Sequence, residues 1–184
     1  MPRVAEKQAT YADYLNTPEG AAYQLIGGEL VMTPAPNPRH QTVAKRLFRR
    51  LDSFVVSQEL GEVYFSPIGV RLSEAETYQP DMVFVPREEL HRIGEQSIDG
   101  PPALVVEILS PTNAYYDLVH KKDVYESSGV KEYWIVDPTE KTIEVLQNSP
   151  QGFIRFAKAR QAGSVGSHVL QGFTVSLEEI FEGM

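Results

Sequence analysis

Gln79-Pro80-Asp81-Met82-Val83-Phe84-Val85 and Ala103-Leu104-Val105-Val106-Glu107-Ile108-Leu109 are the stretches from which the rest of the chain can be read. Each is a short apolar run of strand length, of the kind buried in a sheet. Each also carries one carboxylate inside or beside the run. Burying a carboxylate is costly unless it is paired, hydrogen-bonded or bound to a metal. Taken singly, Asp81 can begin its strand at the surface and Glu107 can satisfy a backbone amide. Taken together with the lysine-bearing helix that follows, the two suit metal-assisted cleavage of a phosphodiester. The coincidence of two strand-borne carboxylates and a lysine favours the second reading.

Composition sets the frame. A chain of 184 residues suggests one domain, residues 1–184, with room for a full core. Hydrophobic residues make up 42% and charged residues 23%, as in a globular protein. No apolar run is long enough to span a membrane. Met1-Pro2-Arg3-Val4-Ala5-Glu6-Lys7 lacks the apolar segment of a signal peptide, and zero cysteines fit a reducing, cytoplasmic setting. A net charge of −8 counts against a broad basic surface for nonspecific duplex binding. It leaves room for a local basic groove, or for carboxylates neutralised by divalent cations.

The remaining elements follow in order. Thr10 to Asn16 reads as a short helix. Tyr23 to Ile26 and Glu29 to Met32 flank Gly27-Gly28, a two-residue hairpin signal. Asn37-Pro38 reads as an N-cap followed by proline at the first helical position, opening a helix over 38–59 with the stripe Val43, Leu47, Leu51 and Phe54. Lys45, Arg46, Arg49 and Arg50 make this the most basic segment, either a solvated face or an edge that contacts phosphate. Strands are expected at 61–65 and 69–72, then a polar turn over 73–77 before the Asp81 strand. A short helix is expected at 86–93, a loop at 94–102, and a stop at Ser110-Pro111 after the Glu107 strand. A helix over 114–127 ends at Gly129, Lys131 to Asp137 is a strand, and 142–146 with 153–157 form an antiparallel pair. Phe173 to Val175 and Leu177 to Phe181 read as a last strand and a closing helix. The whole is an α/β domain, a mixed sheet flanked by helices.

Pro80-Asp81, then Glu107-Ile108-Leu109, then Asp117-Leu118 with Lys121 and Tyr125, then Gly129-Val130-Lys131-Glu132-Tyr133-Trp134, resemble the Uma-type family of bacterial proteins. That family belongs to the restriction-endonuclease-like, PD-(D/E)XK superfamily. The likeness extends to the hairpin from Tyr23 to Leu30 and to Pro38-Arg39-His40-Gln41, and spans residues 10–182. It implies a restriction-endonuclease-like core and a Mg²⁺-dependent nuclease, with Mn²⁺ as a substitute ion and nucleic acid, DNA foremost, as partner. In the superfamily pattern the lysine stands two residues after the second carboxylate, where this chain has Leu109. The resemblance places it at Lys121 instead. Helical spacing alone does not choose between Lys121 and Lys122, and a solvated role for both stays open.

The chemistry of such a site can be argued from its atoms. Mg²⁺ takes oxygen ligands, keeps several waters and uses one or two carboxylates. Asp81 and Glu107 on neighbouring strands supply these, and the Ile108 carbonyl can add a third oxygen. Lys121 can orient the attacking water or offset developing charge. Glu29 on the hairpin and His40 in the first turn of the long helix are the further candidates. His40 can contact phosphate or titrate near neutrality, or can be a local hydrogen-bonding residue. Where the family's hairpin often reads Tyr-Glu-Leu this chain has Gln24, which puts an acidic role there in doubt. His91, His120 and His168 show no paired ligand spacing and are expected at the surface.

Other chemistries lack their residues. There is no Gly-x-Ser-x-Gly elbow, no phosphate-binding loop and no dinucleotide glycine fingerprint. Cysteine chemistry is excluded. A glycosidase could use two carboxylates but would leave the lysine unexplained. The competing reading of another class is a binding or assembly module, a homodimer for example, that keeps the nuclease fold without turnover. Tyr133-Trp134 is expected in the core rather than on a dimer face.

Overall fold

A computed structural model describes residues 8–18, 20–110 and 117–184, with the side chains of Asp117 and Leu118 excepted. The expected start of a helix at Ala114 and the stop at Pro111 lie outside these residues, as does the Met1–Lys7 segment.

The chain opens with helix α1 (Tyr11–Leu15) and the hairpin β1 (Tyr23–Ile26) and β2 (Glu29–Met32). Gly27 and Gly28 turn the hairpin with φ of 58° and 79°, the paired positive values that a tight primed turn requires. Helix α2 (Pro38–Ser57) follows, capped as expected: the Asn37 side chain accepts from the His40 amide. Val43, Leu47 and Leu51 of the expected stripe are fully buried, joined by Val55 rather than by Phe54, which is only partly buried at the edge of the core. Strands β3 (Gly61–Phe65), β4 (Gly69–Arg71), β5 (Thr77–Tyr78) and β6 (Met82–Pro86) come next, then a 3₁₀ turn (Arg87–Arg92). Gly61 is fixed by close approach: a Cβ there would stand 2.1 Å from the Val85 carbonyl oxygen. After β7 (Ser97–Asp99) and β8 (Leu104–Ile108), a π-helical turn (Asp117–Lys121) leads into α3 (Lys122–Ser128). Strands β9 (Glu132–Asp137), β10 (Thr142–Ser149), β11 (Gly152–Arg160), β12 (Ser164–Gly166) and β13 (Thr174–Ser176) and helix α4 (Leu177–Phe181) complete it.

The principal sheet has the order β11-β10-β9-β8-β6-β3, with β8 and β9 parallel and the other pairs antiparallel. A second sheet, β2-β1-β5-β4-β7, stands beside it. The two faces of the principal sheet bury different clusters. Met82, Phe84, Leu104, Val106 and Trp134 pack under α2 and α4. Val83, Val85, Val105 and Tyr133 pack against Tyr125 of α3 and Tyr78 of the second sheet. Both Tyr133 and Trp134 are core residues, as the sequence led one to expect.

The departures from the sequence reading are short strands. Thr77, expected in a turn, belongs to β5, and 97–99, expected in a loop, form β7. Strand β12 had no signal of its own. Strands of two or three residues carry too little pattern to be seen before their partners are known. The helix after β8 begins, among the described residues, as a π-helical turn, a feature that recurs at functional sites.

Candidate active site

The site forms where β6 and β8 meet. Met82 pairs with Val106 in antiparallel register, which brings Asp81 and Glu107 to the next step of the same ladder. The strands run side by side because both faces of each are apolar; Asp81 stands just before the apolar run of β6 and Glu107 inside that of β8.

Asp81 is half-buried and is held from two sides. Its Oδ2 accepts the Ile108 amide at 2.7 Å, and His40 Nε2 lies 3.2 Å from both carboxylate oxygens. His40 is delivered by the first turn of α2, whose cap on Asn37 fixes where that turn begins. Burial of the imidazole opposes its charge, yet the hydrogen bond and charge of Asp81, the Ile108 backbone and the Glu107 charge together hold the His40 pKa above its ordinary 6.5. His40 Nδ1 is buried with no hydrogen-bond partner among the described residues.

Glu107 is more deeply set. Its side chain is 4% exposed and that of Lys121 5%. Glu107 Oε1 accepts from Lys121 Nζ at 3.0 Å and from the Tyr125 hydroxyl at 2.7 Å. Lys121 and Tyr125 are one helical turn apart and so lie on one face. Of the two lysines that spacing left open, Lys121 turns inward to Glu107, whereas Lys122 is only partly buried. The Lys121 ammonium also sits 5.8 Å from the centre of the Tyr78 ring. Burial first, and then the Glu107 charge, push the Tyr125 hydroxyl well above its usual pKa, so it serves as a proton donor to the carboxylate.

Of the five residues singled out from the sequence, four come together: Asp81, Glu107, Lys121 and His40. The structure does not bring Glu29 to them. It pairs with Ile26 at the turn end of the hairpin and is exposed, and among the described residues no hydrogen bond or ion pair joins it to the other four. The hairpin residue that reaches the site's edge is Gln24. Its Oε1 accepts the Gln79 amide at 3.1 Å, two residues before Asp81, and its Nε2 donates to Thr33 at 2.8 Å. A neutral amide there is a strut for the Pro80-Asp81 approach. Ile108 adjoins Asp81 through its amide, which donates to the carboxylate.

The basic helix face is partly consumed by structure. Arg46 donates to the Ile180 and Glu182 carbonyls and Arg50 pairs with Glu179, so both tie α2 to the closing helix. Lys45 and Arg49 make no ion pair among the described residues. Of the remaining histidines, His91 and His168 are exposed, whereas His120 is half-buried with Nε2 3.5 Å from Glu76.

The donor set suits a hard cation. Two carboxylates and a strand carbonyl offer oxygen only, which is the preference of Mg²⁺ and Mn²⁺. Among the described residues no three His, Asp or Glu side chains form a ready-made cage. A Mg²⁺ site built from one or two carboxylates and waters does not need one.

Sequence reading missed Glu132. It is fully buried at the start of β9 and accepts from Trp134 Nε1, the Ser167 hydroxyl and the His168 and Val169 amides. The available signal was a carboxylate heading an apolar strand, with Lys131 before it and Tyr133-Trp134-Ile135-Val136 after it.

Comparison with known proteins agrees with this architecture. A crystal structure described as "a putative nuclease belonging to DUF820", from Anabaena variabilis ATCC 29413, superposes with a TM-score of 0.77. The alignment covers 94% of this chain and 97% of that one at 19% identity, so what the two share is the restriction-endonuclease-like fold. "Uncharacterized protein sll1609" of Synechocystis sp. (strain ATCC 27184 / PCC 6803 / Kazusa) is 26% identical over 135 residues, 71% of this chain and 76% of the relative. The profile of the Uma2 family, described as "Putative restriction endonuclease", matches residues 9–178. With the match spanning nearly every element that builds the Asp81–Glu107 junction, the chain belongs to the Uma2 family.

Proposed function

We propose that this protein is a metal-dependent nuclease that hydrolyses phosphodiester bonds of nucleic acid, with DNA as the foremost substrate. Family membership and fold support a nuclease function in general terms. The observation that carries the finer reading is the buried Lys121–Glu107 pair next to the more open Asp81. A buried ion pair is weak support for a fold, because its desolvation offsets most of its attraction. Its presence beside the more exposed Asp81 carboxylate has a direct chemical use.

Asp81, Glu107 and the Ile108 carbonyl would hold Mg²⁺ or Mn²⁺. When bound, the cation would lower the pKa of a coordinated water and offset charge on the phosphate. The rest falls to the chain's own groups. The Ile108 amide and His40 fix the direction of the Asp81 carboxylate. Tyr125 and Lys121 fix Glu107. Lys121, held on Glu107, would orient the attacking water or stabilise the charge that develops. The charge that His40 tends to hold works in the same direction.

Incubating plasmid and single-stranded DNA with wild type, Asp81→Asn and Glu107→Gln in Mg²⁺, Mn²⁺ or EDTA tests the proposal. Cutting by wild type that depends on the metal and is lost in both variants is the expected result. Cutting that survives loss of both carboxylates, or folded wild type that cuts nothing with either ion, would refute it. The latter result would favour a module that keeps the fold without turnover.

A further inference from the structure

Phe65 ends β3 at the site. It pairs with Met82, the residue after Asp81, and the next amide, Ser66, donates to the Asp81 carbonyl at 3.0 Å. Its ring is 60% exposed, although it shares a strand face with the buried Val63. It is propped: Phe48 of α2 meets it edge-on, with ring centroids 4.7 Å apart and planes at 67°. One side of the ring is thus held by the core while the rest faces solvent. Cations stand near Phe48 on the same helix. Lys45 lies one turn before both Phe48 and Arg49 on α2, and one turn after Gln41, which adjoins His40. Lys45 and Arg49 are exposed and make no ion pair among the described residues, unlike Arg46 and Arg50. The stretch from Lys45 to Phe48 and Phe65 is therefore a track of exposed positive charge beside aromatic surface, with Asp52 one turn beyond Phe48 as an acidic neighbour.

We infer that Phe65, propped by Phe48, is a stacking platform for an unpaired nucleobase next to the scissile phosphate, with Lys45 and Arg49 taking the adjoining backbone. This deepens the nuclease reading and rests on it. An aromatic face held beside cations is how proteins engage single strands, because every base offers a π-face while the phosphates meet the charge. A base paired in a duplex offers no such face without being unstacked. The substrate class assigned is thus nucleic acid that is single-stranded, or locally opened, at the cleavage point. In a chain of net charge −8, this track is the local attraction that the overall charge withholds.

The test separates this inference from the nuclease reading. Binding of a fluorescein-labelled oligonucleotide of about 12 nucleotides, single-stranded or as a blunt duplex, is measured by anisotropy in Ca²⁺ for wild type, Phe65→Ala and Phe65→Trp. Cleavage of the same oligonucleotides is measured in Mn²⁺, and thermal melting confirms that each variant is folded. The expected result is a loss of about tenfold in single-strand affinity for Phe65→Ala, a smaller change on the duplex, and recovery in Phe65→Trp. If wild type cuts single strands and Phe65→Ala binds and cuts them equally well, the platform is overturned and the nuclease reading stands. Equal weakening in Phe65→Ala and Phe65→Trp overturns it as well. If Phe65→Ala instead abolishes a concentration-dependent dimer of wild type and leaves nucleic-acid affinity unchanged, Phe65 serves a second copy of the chain. If wild type neither binds nor cuts, the nuclease reading falls and takes the platform with it.

Discussion

Glu132 and Glu107 are both buried carboxylates at ends of strands that lie side by side in the principal sheet, and they are satisfied in different ways. Glu132 accepts from an indole, a hydroxyl and two backbone amides, all neutral donors that belong to the fold. The result is a clasp that pins the segment Ser167–Val169 to β9. Glu107 is met by an ammonium and a phenol from a helix that follows its own strand. Beside it stands Asp81, half-open and backed by a histidine. Glu132 uses its charge to organise the backbone. Glu107 gathers other ionisable groups around itself, and under the proposed function that company is what sets a reactive centre apart from a structural one.

The comparison can be broken at several points. The largest expected effect is on stability, from Lys121→Met. It leaves Glu107 buried without its cation and is expected to lower stability by about 3–5 kcal/mol, or roughly 6–20 °C in melting temperature for a chain of this size. Adding Glu107→Gln to that variant removes the stranded charge and should return much of the loss. A double-mutant cycle by denaturant titration measures the coupling, and additive effects would show the pair to be energetically idle.

Next comes Glu107→Gln alone, expected to reduce metal-dependent cleavage by at least about 100-fold while the protein, though destabilised by the stranded Lys121 charge, still melts cooperatively. Glu132→Gln should do the reverse. Weakening charged hydrogen bonds is expected to lower stability by about 2–3 kcal/mol with cleavage per folded molecule unchanged. Should Glu132→Gln abolish cleavage at an unchanged melting temperature, the contrast drawn between the two carboxylates would be wrong.

A smaller change sharpens the site's own support. Asn37→Ala removes the cap that starts α2 and delivers His40, at a cost of about 1 kcal/mol by thermal melting. The smallest effect is set by pH. The His40 pKa is raised in the folded protein, so its contribution to stability is fully present below the unfolded value of about 6.5 and is lost as pH rises through the folded value. Wild type should lose stability relative to His40→Gln over that interval. Parallel profiles for the two proteins would remove Asp81 as the partner that matters.

Much of this was legible in the chain. The apolar runs around Asp81 and Glu107, the Gly27-Gly28 turn, the Asn37-Pro38 helix start and the Lys131–Asp137 strand all declare themselves through local pattern. Strands β5, β7 and β12 do not, because two or three residues become a strand only by pairing with a neighbour remote in sequence. The site divides in the same way. Asp81 and Glu107 stand out as charges in apolar surroundings, whereas the choice of Lys121 over Lys122 depends on how α3 is rotated by burying Tyr125. Glu29 misleads for a related reason. Alternation along a hairpin says which residues share a face, but not how far along it the active site lies, and that position is fixed by Gln24 meeting Gln79.

The burial of the Lys121–Glu107 pair has a consequence for how such a chain can drift. Losing either partner alone strands a charge in the core, so a descendant that no longer cut nucleic acid would still be held to both residues by folding. The two would persist together or be replaced together by apolar side chains. Asp81, nearer the solvent, is under a weaker constraint: its loss would leave the Ile108 amide and His40 short of a partner but would strand no deeply buried lysine, so its replacement would be tolerated more readily once cleavage ceased to matter. Among descendants of this protein, the fate of Asp81 therefore tells working copies from retired ones, and the persistence of the buried pair does not.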